Sequence, residues 1–98
     1  MSNLADYKKQ QREHVKDRGV DRYHRQLNRS DLRVLSAKIR DGDGVFLETE
    51  GGNATSWAVK YDGCWFVVLY DGKTKQASTL LPRYLLAKHR EKIFGTKK

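Results

Sequence analysis

Ninety-eight residues with an apolar fraction of 38% suffice for one domain around one core, not two. A single cysteine, Cys64, excludes an internal disulfide framework and fits a reducing cytoplasm, while the longest apolar run, Cys64 to Tyr70, is far too short to span a bilayer. The formal charge of +8 is polarised: residues 1–30 carry eight Lys/Arg against four Asp/Glu, residues 31–62 four against six, and residues 63–98 eight against two. Basic ends around a mildly acidic middle favour a polyanion or an acidic protein surface as partner.

The N-terminus, with Asp6, Lys8 and Lys9 and no apolar stretch, does not read as a signal peptide. Residues 1–19 are good helix formers with a thin apolar stripe of Leu4, Tyr7 and Val15, which predicts a basic, marginally ordered helix interrupted at Gly19. A single α+β domain is expected over 20–94, and a loose basic tail over 95–98. Val20, Tyr23 and Leu27 recur at helical spacing and predict a second helical stretch packed on the core. Ser30 is a natural N-cap for the next helix, whose stripe is Leu32, Leu35 and Ile39 and which stops at Asp41-Gly42-Asp43-Gly44.

The period then changes to that of strands. Val45–Thr49, Ser56–Tyr61, Cys64–Tyr70 and Gln76–Leu81 predict a four-stranded antiparallel sheet. Asp62-Gly63 is a two-residue connection of the type I′ kind, and it pairs Tyr61 with Cys64, Val59 with Phe66 and Trp57 with Val68 on one face. That face is the more apolar and should lie under the helices. Pairing Tyr70 with Gln76 would put Ala77 and Thr79 on the opposite face, with Lys60 and Trp65, and Ser78 and Leu80 on the covered one. Pro82 suits the first turn of a closing helix with Leu86, His89 and Ile93 on one face.

The candidate chemistry is that of phosphate. Arg12, Arg18, Arg22, Arg25 and Arg29 cluster in sequence, and the last four share one helical face if the helix persists through Gly19. Guanidinium forks suit phosphate oxygens and the extra charge of a pentacoordinate phosphorus. His24, flanked by Arg22 and Arg25, has an imidazole able to exchange a proton with a 2′-hydroxyl or a leaving oxygen. His14 is a second such group, and His89 is expected in the core. An outward face of Lys60, Trp65 and Thr79 offers the charge, stacking and hydroxyl that a reader of single-stranded RNA needs. Catalytic candidates are thus Arg22, His24, Lys60 and Thr79; contacts to nucleic acid are expected from Arg18, Arg25, Arg29, Trp65 and Arg83. No Cys-x-x-Cys, paired histidines, calcium loop or P-loop occurs, so neither metal nor cofactor is expected.

Asp21-Arg22-Tyr23, Leu27-Asn28-Arg29-Ser30-Asp31-Leu32, Trp57 to Gly63, Trp65 to Asp71 and Ser78 to Pro82 together resemble a group of small phage and bacterial proteins. Helices followed by a four-stranded antiparallel sheet are similar to the barnase–EndoU–colicin–RelE (BECR) class of metal-independent ribonucleases, some of them toxins. The resemblance, over residues 21–82, implies 2′-hydroxyl attack with Arg22 as the helix arginine and Lys60 and Thr79 as the sheet residues. Members of the group carry a histidine four residues before that arginine, where this chain has Arg18, which leaves binding intact and weakens cleavage. The expected function is therefore RNA cleavage or RNA binding without it. The alternative is a phage-encoded inhibitor that grips a host enzyme through its basic surface.

Overall fold

The computed structural model describes residues 4–95, so all of the expected tail except Gly95 lies outside the described residues. It is an α+β fold: α1 (Leu4–Tyr23), α2 (Arg29–Arg40), then strands β1 (Val45–Gly51), β2 (Ala54–Tyr61), β3 (Cys64–Asp71) and β4 (Gln76–Leu80), closed by α3 (Tyr84–Lys88) and α4 (Arg90–Phe94). The strands form one antiparallel meander in the order β1-β2-β3-β4.

The Asp62-Gly63 turn sets the register. Both residues have positive φ, 52° and 74°, as a type I′ turn requires, and Tyr61, Val59 and Trp57 pair with Cys64, Phe66 and Val68 as expected. The face so defined is the larger core. Val59, Phe66, Val68, Ala77 and Leu80 pack there against Val15 and Tyr23 of α1, the buried loop residue Leu27, and Leu32, Leu35 and Ile39 of α2. α2 starts not at Ser30 but with Asn28 as its cap: the Asn28 side chain accepts the Asp31 N–H while the Asp31 carboxylate accepts the Asn28 N–H.

Three further expectations are corrected. First, α1 runs unbroken through Gly19. That glycine permits a close approach, because a Cβ there would sit 3.0 Å from the Arg25 carbonyl oxygen. His24, at φ 54°, ends the helix, and the Arg25 N–H turns back to the Gly19 carbonyl. The anticipated second helical stretch is only the last turn of α1, with Val20 exposed.

Second, the β3–β4 register is one residue off the expected pairing. Asp71 pairs with Gln76 and Tyr70 with Ala77, and a bulge follows before Leu69 meets Thr79. The turn causes this: the Asp71 carboxylate accepts the N–H groups of Lys73 and Thr74, and Lys75 turns at φ 60°. Ala77 therefore enters the core and Ser78 sits at the bulge, its hydroxyl on the Leu69 carbonyl.

Third, the closing helix is two short helices broken at His89, and they cover part of the second face. Leu81, Leu85, Leu86 and Ile93 pack over Leu47, Ala58 and Val67, and Lys92 donates to the Leu47 carbonyl. His89 is not a core residue but meets the Glu48 carboxylate at 3.0 Å. The outer strand β4 is tied to both long helices. Ser36 accepts the Ala77 N–H, Arg22 donates to the Leu80 carbonyl, and Gln76 donates to the Lys8 carbonyl. No helix among the described residues is long and apolar enough to cross a membrane.

Candidate anion-binding site

The apolar stripe of α1 is too thin to dock its first half, and a polar lock does that work. Gln11 is buried at 4% exposure; its amide donates to the Asp71 carboxylate at 2.8 Å and accepts from the Thr74 hydroxyl and the Gln76 amide. Burial works to raise the Asp71 carboxyl, but hydrogen bonds from Gln11, the N–H groups of Lys73 and Thr74 and the Tyr7 hydroxyl outweigh it and hold the group below its ordinary value. The lock fixes α1 against the β3–β4 turn with Lys8 and Arg12 along one flank.

Beside that flank lies a hollow of about 200 Å³ between α1, α2 and the turn. Six cations line it: Lys8 and Arg12 from α1, Arg29, Arg33 and Arg40 from α2, and Lys75 from the turn, where the Arg40 guanidinium also donates to the Lys75 carbonyl. No carboxylate lines it. The ion pairs formed by the described residues use other cations: Arg18 with Asp21, Arg25 with Asp62, Lys38 with Asp43, and Lys88 and His89 with Glu48. Lys8 with Arg12 and Arg29 with Arg33 are like-charge pairs at i,i+4, each destabilising by roughly 0.2–0.5 kcal/mol. Arg29 also opens α2, where the helix dipole disfavours a cation. A phosphate among these groups offsets those repulsions by its attraction to each cation. Guanidinium forks and the Ser36 hydroxyl around one concavity are ligands for an anion of phosphate chemistry.

The sequence-predicted residues are dispersed. Of the arginine cluster, Arg12 and Arg29 reach the hollow. Because α1 ends at Tyr23, Arg18, Arg22, Arg25 and Arg29 do not share one helical face. Arg22 is half-buried on the Leu80 carbonyl, and the Arg83 guanidinium lies 5.9 Å from the centre of the Tyr23 ring, so those two meet around Tyr23. Arg25 pairs with Asp62 at 2.8 Å, Arg18 with Asp21 at 3.8 Å, and His24 is exposed beyond the end of α1. Lys60 is exposed opposite Trp65, whose ring stands edge-on to Phe94, at 5.3 Å, beneath the C-terminal helices. Thr79 pairs with Leu69, four residues along β3 from Trp65. Lys60 and Thr79 are thus separated by about 13 Å along the sheet and about 10 Å across it. Thr79 instead borders an open hollow with His14.

Sequence reasoning missed Lys8, Arg33, Arg40 and Lys75. A signal was present, since 29, 33, 36 and 40 fall on one side of a helix, as do 8 and 12. Among the described residues no three His, Cys, Asp or Glu side chains gather as a metal site. Compared with known protein families, with curated proteins and with solved structures, the chain matches none.

Proposed function

We propose that this protein binds RNA along its sugar–phosphate backbone, without cutting it, and that Lys8, Arg12, Arg29, Arg33, Arg40 and Lys75 are the contact. One observation carries the reading: six cations converge on a concave site that no carboxylate lines. A cationic surface balanced by acids is a solubilising coat, whereas this one is held at a cost in like-charge repulsion. RNA is favoured over duplex DNA because both long helices lie with their apolar faces on the sheet rather than projecting toward a major groove. Binding is favoured over cleavage because Arg22 and Arg25 are engaged in internal bonds and Lys60 stands far from Thr79.

The test is fluorescence anisotropy of a labelled single-stranded RNA over rising salt. Six phosphate contacts at about −0.7 each give a slope of log K against log salt of roughly −4. The double variant Arg33→Ala/Arg40→Ala is expected to reduce that slope by about 1.4. Flat salt dependence, or an unchanged slope in the double variant, overturns the reading. RNA incubated with the protein in EDTA is expected to remain whole, and its cleavage would restore the ribonuclease expectation. Retention of one host protein with no RNA would favour the inhibitor.

A further inference from the structure

α1 has a second flank. At about 100° per residue, Lys8 and Arg12 lie to one side of the docking line through Gln11 and Val15, while Tyr7, Gln10 and His14 lie to the other. On that other side two open hollows of about 410 and 390 Å³ adjoin, sharing Tyr7, Gln11 and Ser78. Their chemistry differs from that of the basic hollow. Tyr7 is 47% exposed, and around it stand the Gln10 and Asn53 amides, the His14 imidazole, the hydroxyls of Ser78 and Thr79, and the opposite charges of Asp71 and Lys73.

We infer that this groove receives an unpaired base of the same RNA strand, stacked on the Tyr7 ring, while its phosphates lie across α1 in the basic hollow. The inference rests on the RNA-binding reading and names its substrate class as single-stranded RNA. The two flanks match the two halves of a nucleotide: an excess of cations for the phosphate, and for the base an aromatic face with donors and acceptors whose two charges, Asp71 and Lys73, balance. Amide, imidazole and hydroxyl groups each donate and accept, as base edges do. A helix about 10–12 Å wide with its side chains is narrow enough for one strand to straddle. In a duplex the bases are stacked inside and cannot reach Tyr7. Asp71 holds Gln11 on the docking line and Tyr7 from the groove side, at 2.8 and 3.5 Å, so the same carboxylate aligns both flanks.

Three probes test it by anisotropy and competition: a labelled single-stranded RNA, the same RNA annealed to its complement, and inorganic polyphosphate as competitor. Tyr7→Ala is expected to weaken single-strand binding roughly 10- to 100-fold. It should leave duplex binding, polyphosphate competition and the salt slope as they are in the parent protein. Tyr7→Phe, which keeps the ring but not the hydroxyl that meets Asp71, should lose clearly less single-strand affinity than Tyr7→Ala. Parent-like single-strand affinity in Tyr7→Ala overturns the inference, as does an equal loss on all three probes, which would make Tyr7 a support for α1. Salt-dependent RNA binding that survives Tyr7→Ala removes only this inference; absence of RNA binding removes the underlying reading too.

Discussion

Replacing Gln11 by alanine separates the polar lock from the cations it places. Gln11 makes one hydrogen bond to a carboxylate, worth about 1.5–3 kcal/mol net, and two to neutral groups at about 0.5–1.5 kcal/mol each. Their joint loss, about 2.5–6 kcal/mol, exceeds what the thin stripe of α1 can offset over residues 4–14, since Val15 and Tyr23 anchor only the second half. The first half of α1 should therefore open locally while the sheet stays intact. Lys8 and Arg12 leave the hollow with it, and the salt slope for single-stranded RNA drops by about 1.4, two contacts at about 0.7 each. Hydrogen exchange reads the first effect and the salt titration the second. The double variant Lys8→Ala/Arg12→Ala should show the same slope change with α1 still protected. Full protection of residues 4–14 in Gln11→Ala, or an unchanged slope, refutes the reasoning.

Two further outcomes concern stability. The Tyr23 hydroxyl donates to the Leu81 carbonyl and accepts the buried Val67 N–H, so Tyr23→Phe leaves that N–H without a partner. The expected loss is about 2 kcal/mol, read in chemical denaturation or as a Tm lower by roughly 10 °C; a change within about 0.5 kcal/mol would refute it. Acid should also destabilise the fold. The Asp31 carboxyl is held below its ordinary 3.8 by the Tyr61 hydroxyl first and the Asn28 N–H second, and the Asp71 carboxyl is likewise depressed. A depressed folded value contributes stability that is present above the unfolded value and is lost as pH falls through the folded one. Tm should therefore be level from neutral pH to about 5 and fall below about 4, with a smaller fall in Asp31→Asn. A level Tm down to about pH 2 would contradict this.

Local rules decided most of the fold. Asp62-Gly63 admits a positive-φ pair and so fixes the β2–β3 register and the core face with no outside information. The Leu32, Leu35, Ile39 stripe likewise identifies α2 and its buried side. Where sequence reasoning failed, a non-local contact had intervened. Gly19 reads as a break because glycine is a poor helix former, yet it is needed where Leu27 and the Arg25 carbonyl approach the helix. The Asp71 turn places Ala77 in the core through a bulge that strand alternation cannot anticipate.

The sequence by itself determined the helix-then-sheet order, the hairpin and the overall positive charge, because each depends on neighbours a few residues apart. Which cations gather was decided only by tertiary structure. Arg33 and Arg40 lie in the stretch whose net charge is negative, but there Asp62 pairs with Arg25, Asp43 with Lys38, Glu48 with His89, Glu50 with the Ser56 hydroxyl, and Asp31 caps α2. With those acids engaged elsewhere, folding sets the two arginines beside Lys8, Arg12 and Lys75, which are distant in the chain. Electrostatic attraction follows separation in space, and only the packed chain sets that separation.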